Sequence, residues 1–389
     1  MNIVIYCQYV WGMGHLMRSL ELARALVGHD VTLVAGGQEV ELDLPDHVEL
    51  VRLATLYMDE QFTTLISGDP AQSVEQVQHA RKKTLYELFR AKRPDLFIVE
   101  LYPFGRSKFG YELDPVLADV RAGKFGPVKA ACSLRDILVE KKHPQAYEAR
   151  VVQKLNRYFD ALLVHADERL LRLDETFSRA GDIRVPVVYT GFVTRQTNPA
   201  AGGKLRRELD ISSEQKLVVA SAGGGRAGFK ILHSVINAAD LLCGRMPVRF
   251  EIFTGPFMED EEFKALAGRN ASDIRIRRYT RRFVAYLAAA DLSVSLAGYN
   301  TCMDLLVARV PALVYPYSRQ REQPLRVDKI KQFLPLKILT GADLDPERLS
   351  AHMHDMLQQK RAPKSLPIDM NGAANSAKFL SRWINAAPR

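Results

Sequence analysis

The sequence contains no apolar run of the about 18 residues that a membrane-spanning helix needs. Its beginning also lacks the basic segment followed by a long apolar segment that marks a secretory signal. The four cysteines are widely scattered and form no C-x-x-C pair, so neither a disulfide framework nor a zinc ribbon is predicted. These absences favour a cytoplasmic protein with reduced thiols.

No DNA- or RNA-binding motif accompanies the net charge of +9. A basic surface attracts phosphates in general, so the charge alone does not identify a partner. The densest basic cluster is typical of a solvated face or of the rim of an anion site, and we do not expect a nucleic-acid partner. Its members are Arg275, Arg277, Arg278, Arg281 and Arg282.

The length of 389 residues exceeds one ordinary hydrophobic core and indicates two domains. Short β-rich runs alternate with helical patterns, stop at a turn-rich segment over 194–204, and then resume, which is typical of parallel α/β sheets. We therefore predict an α/β protein of two Rossmann-like domains, residues 1–195 and 204–365, whose sheets face a central cleft. The predicted strands are 31–35, 96–99, 128–132, 161–164, 187–190, 217–220, 250–253, 292–294 and 312–315.

A glycine-containing turn, Gly12-Met13-Gly14-His15, follows the first apolar run and precedes an amphipathic helix. Small residues there let the helix N-terminus face a phosphate or a sugar. His15 is a candidate general base, and a capping or packed histidine is the alternative. The third glycine of a G-x-G-x-x-G pattern is replaced by Met17, which disfavours a dinucleotide oxidoreductase.

The second half of the chain repeats this arrangement. Three glycines, 223–225, follow one predicted strand, and the turn Gly298-Tyr299-Asn300-Thr301 follows another. Asn300 and Thr301 either bind a ligand or cap the next helix, and Asp304 lies one turn further on, where a carboxylate holds a ribose diol. After the next strand comes a polar cluster that contains Arg321, Glu322 and Gln323, and its last two members suit vicinal sugar hydroxyls.

The order of these segments resembles that of the GT-B glycosyltransferases, and most closely the branch of the peptidoglycan lipid-intermediate N-acetylglucosaminyltransferase. The resemblance covers nearly the whole chain. It rests on a Gly-x-Gly-His-x-x-Arg turn, a Ser-Leu-Arg-Asp segment, a Tyr-Thr-Gly-aromatic-Val strand exit and a Gly-Tyr-Asn-Thr turn. These are residues 12–18, 133–136, 189–193 and 298–301.

The resemblance implies a nucleotide-sugar donor, most often a UDP-sugar, held mainly by the second domain, and an acceptor on the first. The diphosphate would meet the turn of Gly298, Tyr299, Asn300 and Thr301, and Asp304 would meet the ribose, although family members usually have glutamate there. Uracil would lie against the segment from Tyr279 to Phe283. Gly224 and Gly225 would form the floor of the cleft, and Arg226 would add positive charge. The donor sugar would contact Glu322 and Gln323, beside Arg321.

The resemblance also implies transfer without a bound metal or other cofactor, with helix N-termini and arginines supplying the positive field. His15 is the candidate base, and Glu100 and Asp136 are candidates to orient it or an acceptor hydroxyl. The acceptor or phosphate side would comprise Gly12, Met13, Gly14, Arg18 and Arg135. The Asp-x-Asp at Asp343 and Asp345 matches a manganese motif, but the following Pro346 indicates a helix cap instead.

Several alternatives stay open at this stage. A UDP-sugar hydrolase shares the first glycine turn and uses water as the acceptor, an epimerase of the same fold is more remote, and a noncatalytic nucleotide-sugar-binding protein keeps the fold alone. No segment specifies the acceptor. The last helix, within residues 366–389, would pack on the first domain as in GT-B proteins, or would attach the protein peripherally to the inner face of a membrane.

Overall fold

The computed structural model describes residues 1–10, 12–59, 63–138, 143–196, 198, 200–317, 322–363 and 365–385. They form two compact units, one of Met1–Val193 with the segment from Ile368 onward, and one of Thr194–Pro367. The sequence analysis places the corresponding boundaries at residues 195 and 365. Within the described ranges, no helix has both the length and the apolar character needed to span a membrane.

The first unit is built on a parallel sheet. Its central strands are buried along almost their whole length, as expected when helices cover both faces of a sheet. In chain order the strands are β1 (Asn2–Cys7), β2 (Asp30–Ala35), β3 (Val48–Arg52), β4 (Leu56–Met58), β5 (Leu65–Ser67), β6 (Leu96–Glu100), β7 (Lys129–Arg135), β8 (Ala161–His165) and β9 (Val187–Tyr189). Seven of them form the sheet in the order β3-β2-β1-β6-β7-β8-β9, while β4 and β5 pair antiparallel.

Four helices connect these strands: α1 (Gly14–Ala25), α2 (Val74–Lys92), α3 (Gly110–Arg121) and α4 (Pro144–Tyr158). Leu16, Leu20 and Ala23 are buried on α1, as their helical spacing predicts. Val27 continues the same helical spacing in the sequence, but it is 74% exposed because the helix ends at Ala25.

The second unit repeats the plan with six parallel strands: β10 (Lys216–Ser221), β11 (Val248–Phe253), β12 (Ile274–Arg277), β13 (Leu292–Leu296), β14 (Ala312–Tyr315) and β15 (Leu336–Ile338). They are ordered β12-β11-β10-β13-β14-β15. Part of the predicted linker is helical, because α5 begins at Ala201. The helices are α5 (Ala201–Glu208), α6 (Phe229–Cys243), α7 (Asp260–Ala267), α8 (Phe283–Ala289), α9 (Tyr299–Ala308), α10 (Glu322–Ile330) and α11 (Pro346–Leu357).

Both sheets reverse their strand order at one point. In the first unit the order reverses between β1 and β6, and in the second between β10 and β13. Open parallel sheets bind ligands in the crevice beyond the carboxyl ends of the two strands that flank such a reversal. The loops after β1, β6, β10 and β13 are therefore the places where a site is expected.

The C-terminal helix α12 (Gly372–Asn385) lies on the first unit. Leu380 is fully buried, and the Asn375 amide donates a 2.8 Å hydrogen bond to the Thr190 carbonyl. The Lys129 ammonium lies 4.9 Å from the centre of the Trp383 ring and donates to the Trp383 carbonyl. Much of the apolar side of α12 is thus covered by its own unit.

Candidate active site

The loop after β1 contains glycines that the sequence predicts to face a ligand. A Cβ atom placed on Gly12 would meet nothing within 4 Å. Met13 ends the loop, and α1 begins at Gly14 without a capping side chain among the described residues. The local geometry agrees with a turn that leaves room beside its backbone.

The first residue after that turn, His15, contacts the end of the neighbouring strand β6. Its Nδ1 lies 2.6 Å from Oε1 of Glu100. The Arg18 guanidinium donates to the same oxygen, and its Nη2 lies 3.1 Å from His15 Nδ1. Glu100 is 1% exposed and His15 is 19% exposed, so the carboxylate is enclosed while the imidazole reaches the surface.

Burial and these contacts together set the protonation states of His15 and Glu100. Burial lowers the pKa of His15 to about 4, although the charge of Glu100 opposes that shift. Burial raises the pKa of Glu100, but the facing cations, among them Arg18, bring it below its usual range. At neutral pH the carboxylate is ionised and the imidazole neutral, so we assign the imidazole proton to Nδ1, which faces the carboxylate. The lone pair then lies on Nε2, which is the arrangement of a general base.

Two predictions about this region need correction. Arg18, predicted to lie on the acceptor or phosphate side, is buried because it pairs with Glu100. Of the two carboxylates predicted to orient His15, Glu100 contacts it and Asp136 does not. The reason is strand order: β6 lies next to β1, whereas β7, which precedes Asp136, lies one strand further away. Asp136 is 1% exposed, and its role toward an acceptor hydroxyl stays a prediction.

Two of the signature segments meet at a buried histidine. Ser133 Oγ lies 2.8 Å from Nε2 of His165, and Thr190 Oγ1 lies 2.9 Å from its Nδ1. Burial lowers the pKa of His165 to about 3, so it is neutral. The Ser-Leu-Arg-Asp and Tyr-Thr-Gly segments are therefore joined by a packed histidine, and Arg135 lies half-buried at the end of β7.

In the second unit, the three-glycine turn after β10 packs closely on the loop after β11. Gly225 has a φ of +106°, and a Cβ atom on it would lie 2.7 Å from the Met258 nitrogen. The Phe257 amide donates a 2.9 Å hydrogen bond to the Gly224 carbonyl. Only glycine fits this close approach at position 225. Arg226, the next residue, is exposed.

The turn after β13 leads directly into α9, with Gly298 as its N-cap. Because the N-cap is a glycine, neither Asn300 nor Thr301 occupies the N-cap position itself. A Cβ atom on Gly298 would find only Thr301 Oγ1, at 3.9 Å, within 4 Å. A nine-tenths-buried Tyr299 lies under the Arg326 guanidinium, 5.5 Å from its ring centre. The helix start is thus open at Gly298, while Tyr299 is a packing residue.

Asp304, predicted to hold a ribose, already has a partner. Its carboxylate is 2% exposed and accepts two hydrogen bonds from the Arg195 guanidinium, one of 3.2 Å from Nε. Burial raises the pKa of Asp304 and the charge of Arg195 opposes the rise. A direct ribose contact therefore requires Arg195 to move. The contact is harder still because aspartate is shorter than the glutamate expected at this position.

The polar cluster after β14 lies partly outside the described residues, and Arg321 is among those not described. Glu322 begins α10 and accepts a 3.0 Å hydrogen bond from the buried Arg326. The side-chain oxygen of Gln323 accepts a 3.0 Å hydrogen bond from the Tyr317 amide. Both side chains are held in place by the chain itself.

The arginine-rich segment between β12 and α8 forms ion pairs across the surface. Arg282 pairs with Glu208 at 2.7 Å, and Arg278 pairs with Asp260. Tyr279 is 37% exposed, and Phe283 lies under the Arg195 guanidinium, 5.7 Å from its ring centre. This arrangement agrees with a solvated face, and it places Phe283 beside the Arg195–Asp304 pair.

The Asp-x-Asp segment has the capping role that the sequence predicts. Asp345 accepts a 3.2 Å hydrogen bond from the Arg348 amide at the start of α11, where Pro346 is the first helical residue. Asp343 caps the preceding short 3₁₀ helix through Thr340. Both aspartates are therefore used by local structure.

Two arginines near the predicted site residues are absent from the sequence predictions. Arg106 lies in the loop after β6. That loop follows a strand that flanks the reversal of strand order, and this position could have marked Arg106 as a candidate site residue. Arg195 lies in the predicted linker, and 109 residues separate it from Asp304, so no local pattern connects them.

Comparison with known proteins agrees with this plan. Residues 219–380 match the family model of the glycosyltransferase family 28 C-terminal domain. The UDP-N-acetylglucosamine--N-acetylmuramyl-(pentapeptide) pyrophosphoryl-undecaprenol N-acetylglucosamine transferase of Desulforamulus reducens is 23% identical over 248 residues, 62% of this chain and 64% of that one. An uncharacterized glycosyltransferase of Methanosarcina acetivorans is 20% identical over 80% of this chain and 79% of its own length.

Solved structures share the fold. The MurG structure of Acinetobacter baumannii aligns with a TM-score of 0.53 at 12% identity, over 99% of this chain and 98% of that one. The calicheamicin glycosyltransferase CalG4 aligns with a TM-score of 0.57 at 14% identity, over 98% and 94%. These likenesses show the GT-B fold. In sequence, residues 219–380 are similar to the family 28 C-terminal domain, and the chain is MurG-like over 64% of the length of the Desulforamulus reducens transferase.

Proposed function

We propose that the protein transfers a sugar from a nucleotide sugar to an acceptor hydroxyl, with His15 as the general base. The observation that carries the proposal is the contact of His15 with the enclosed Glu100 carboxylate at the reversal point of the first sheet. A neutral imidazole with its lone pair on Nε2 accepts a proton at neutral pH, and an ionised carboxylate stabilises the imidazolium that results.

In the proposed reaction the acceptor oxygen forms a bond to the anomeric carbon while the bond from that carbon to the diphosphate oxygen breaks. The hydroxyl proton passes to Nε2 of His15, and the electron pair of the broken bond leaves with the nucleoside diphosphate. The negative charge that develops on the leaving group needs positive partners. The start of α9 at Gly298 supplies oriented backbone amides of that kind.

We propose a UDP-linked donor. Support comes from the relatives, since the Desulforamulus reducens transferase is named for UDP-N-acetylglucosamine. The fold also matches a plant enzyme solved in complex with UDP-2fluoro-glucose, with a TM-score of 0.57. We further propose that transfer needs no divalent metal, and expect EDTA to leave the rate unchanged. Cytoplasmic location, and peripheral attachment to a membrane, stay predictions.

Calorimetric titration with UDP, GDP and TDP tests the donor assignment. We expect UDP to bind best, and Gly298→Ala to weaken binding because a methyl group would fill the space at the start of α9. The control is Gly341→Ala, since a Cβ atom on that exposed glycine of the same unit meets nothing within 4 Å and both substitutions leave the fold unstrained. Equal UDP affinity in the two variants would contradict the assigned position of the diphosphate. Failure of all three nucleotides to bind would contradict the function.

A further inference from the structure

Arg106 occupies an unusual position beside the His15–Glu100 pair. It lies in the loop between β6 and α3, six residues beyond Glu100, and its φ of 59° is in the left-handed region that non-glycine residues seldom adopt. A backbone held in that region directs the side chain differently from an ordinary loop conformation. Such positions concentrate at ligand sites, where surrounding structure maintains them.

The Arg106 guanidinium makes no hydrogen bond and no ion pair with any residue that the structure describes, and its Nε is buried. An arginine carries five N–H donors, and buried donors in folded proteins are almost always paired. The planar fork of the guanidinium matches the oxygens of a phosphate or a carboxylate. Arg106 thus has the donors for an anion and no protein group that uses them among the described residues.

The charges around Arg106 favour an added anion. Glu100 is shared by Arg18 and His15, and His15 is neutral at pH 7. The charges of Arg18 and Arg106 both act on the single carboxylate of Glu100. The charges of Glu100 and Arg135 both act on Arg106, which shows how close these groups lie. Two arginines therefore share one carboxylate next to the proposed base.

We propose that Arg106 binds an anionic group of the acceptor, a phosphate or a carboxylate, close to the hydroxyl that His15 deprotonates. The inference rests on the proposed function for the identity of the base, and it adds the acceptor class. It separates two kinds of acceptor, since a neutral sugar or a neutral lipid alcohol has nothing to place against this guanidinium.

The test is an NMR titration of the full chain, saturated with UDP, in which the His15 ring signal is followed as inorganic phosphate is added. The signal is assigned by its loss in His15→Gln. Phosphate bound to Arg106 should shift the His15 signal and raise its pKa, because a nearby negative charge favours imidazolium. Acetate, titrated separately, distinguishes a preference for carboxylate from one for phosphate, and glycerol phosphate or vesicles containing phosphatidic acid distinguish a soluble ester from a lipid headgroup.

Arg106→Gln should weaken phosphate binding about tenfold or more, as expected for the loss of a charge-assisted hydrogen bond. Arg106→Lys keeps the positive charge but lacks the planar guanidinium, so its phosphate affinity should lie between those of the original protein and Arg106→Gln. Arg90→Gln, which removes an exposed arginine from α2 of the same unit, should bind phosphate like the original protein.

Three results would overturn the inference. One is an unchanged His15 signal with both phosphate and acetate, and another is a shift that persists in Arg106→Gln. The third is weaker UDP binding in Arg106→Gln, because Arg106 would then serve the donor diphosphate. The same titration without UDP separates the two failures, since an Arg106-dependent shift in a protein that does not bind UDP would support the anion site while the proposed function fails.

Discussion

His15 and Glu100 act as a unit because the carboxylate fixes the tautomer of the imidazole. The carboxylate keeps the imidazole proton on Nδ1, and burial keeps the imidazole neutral far below pH 7. A histidine with an ordinary pKa near 6.5 would be partly protonated in a mildly acidic cell and would lose its lone pair. The structure therefore makes the proposed base insensitive to pH over the physiological range.

A pH profile tests this arrangement. The pKa of His15 in the enzyme without substrate is lowered to about 4. The value of kcat/KM should therefore be flat from neutral to mildly acidic pH and should fall only as the pH drops through about 4. Glu100→Gln removes a charge that raises the His15 pKa, so its acidic limb should lie at still lower pH, and its kcat should fall about a hundredfold because the imidazolium loses its partner. Release of nucleoside diphosphate measures both quantities.

His15→Ala should lower kcat by about 10²–10⁴ while UDP binding stays unchanged, because the base takes no part in holding the donor. His79→Ala, on the exposed side of α2, is the matched control and should have the original rate. An acidic limb near pH 6.5 in the original protein, or near-normal turnover of His15→Ala, would show that another group removes the proton.

At the scale of single elements, the three-glycine turn after β10 depends on backbone space. Gly225 has a φ of +106°, and a methyl group added to it would lie 2.7 Å from the Met258 nitrogen and 2.8 Å from the Thr254 carbonyl oxygen. Gly225→Ala should therefore lower the free energy of unfolding by about 1–3 kcal/mol and should weaken UDP binding by displacing the turn. Gly341→Ala, without contacts or strain, should change neither.

Urea denaturation and calorimetry provide the two measurements for this pair of variants. If Gly225→Ala is as stable as Gly341→Ala and binds UDP equally well, the turn is not held against the loop after β11 as described. If Gly225→Ala is less stable but its folded fraction binds UDP with full affinity, the turn has only a structural role.

The central strands of the two sheets could be predicted from the sequence, because buried parallel strands are short continuous apolar runs that are visible locally. The edge strands β3, β12 and β15 were not predicted, since exposed residues interrupt each of them. The end of α1 could not be predicted either, since Val27 continues an apolar spacing that the helix itself does not reach. Contacts between elements were harder to predict than the elements themselves. Glu100 ends β6 and Asp136 follows β7, and only the observed order, with β6 next to β1, shows which carboxylate meets His15. Arg195 reached Asp304 without any sequence signal for the pair.

At the scale of the whole molecule, the C-terminal helix closes the first unit although it follows the second in sequence. The Phe192 amide donates a 2.8 Å hydrogen bond to the Asp369 carbonyl, and the Gly372 amide donates a 2.9 Å hydrogen bond to the Phe192 carbonyl. The Asp369 amide in turn donates to the Asp167 carboxylate. Residues 368–385 are therefore part of the fold that presents His15, whereas the glycine turns of the donor half belong to the other unit.

This division predicts that a single substitution in α12 weakens one unit and not the other. Leu380→Ala removes a fully buried side chain and should destabilise the first unit by about 2–5 kcal/mol, whereas Lys378→Ala, on the exposed side of the same helix, should have little effect. Hydrogen exchange followed by mass spectrometry should show faster exchange in β1, β6 and β7 of Leu380→Ala, with β10 and β13 unchanged. Added UDP should slow exchange around β10 and β13 in both variants, since a ligand stabilises the fold that binds it. Faster exchange of the second unit in Leu380→Ala, or loss of its response to UDP, would mean that α12 supports the donor half, and the assignment of this helix to the first unit would be wrong.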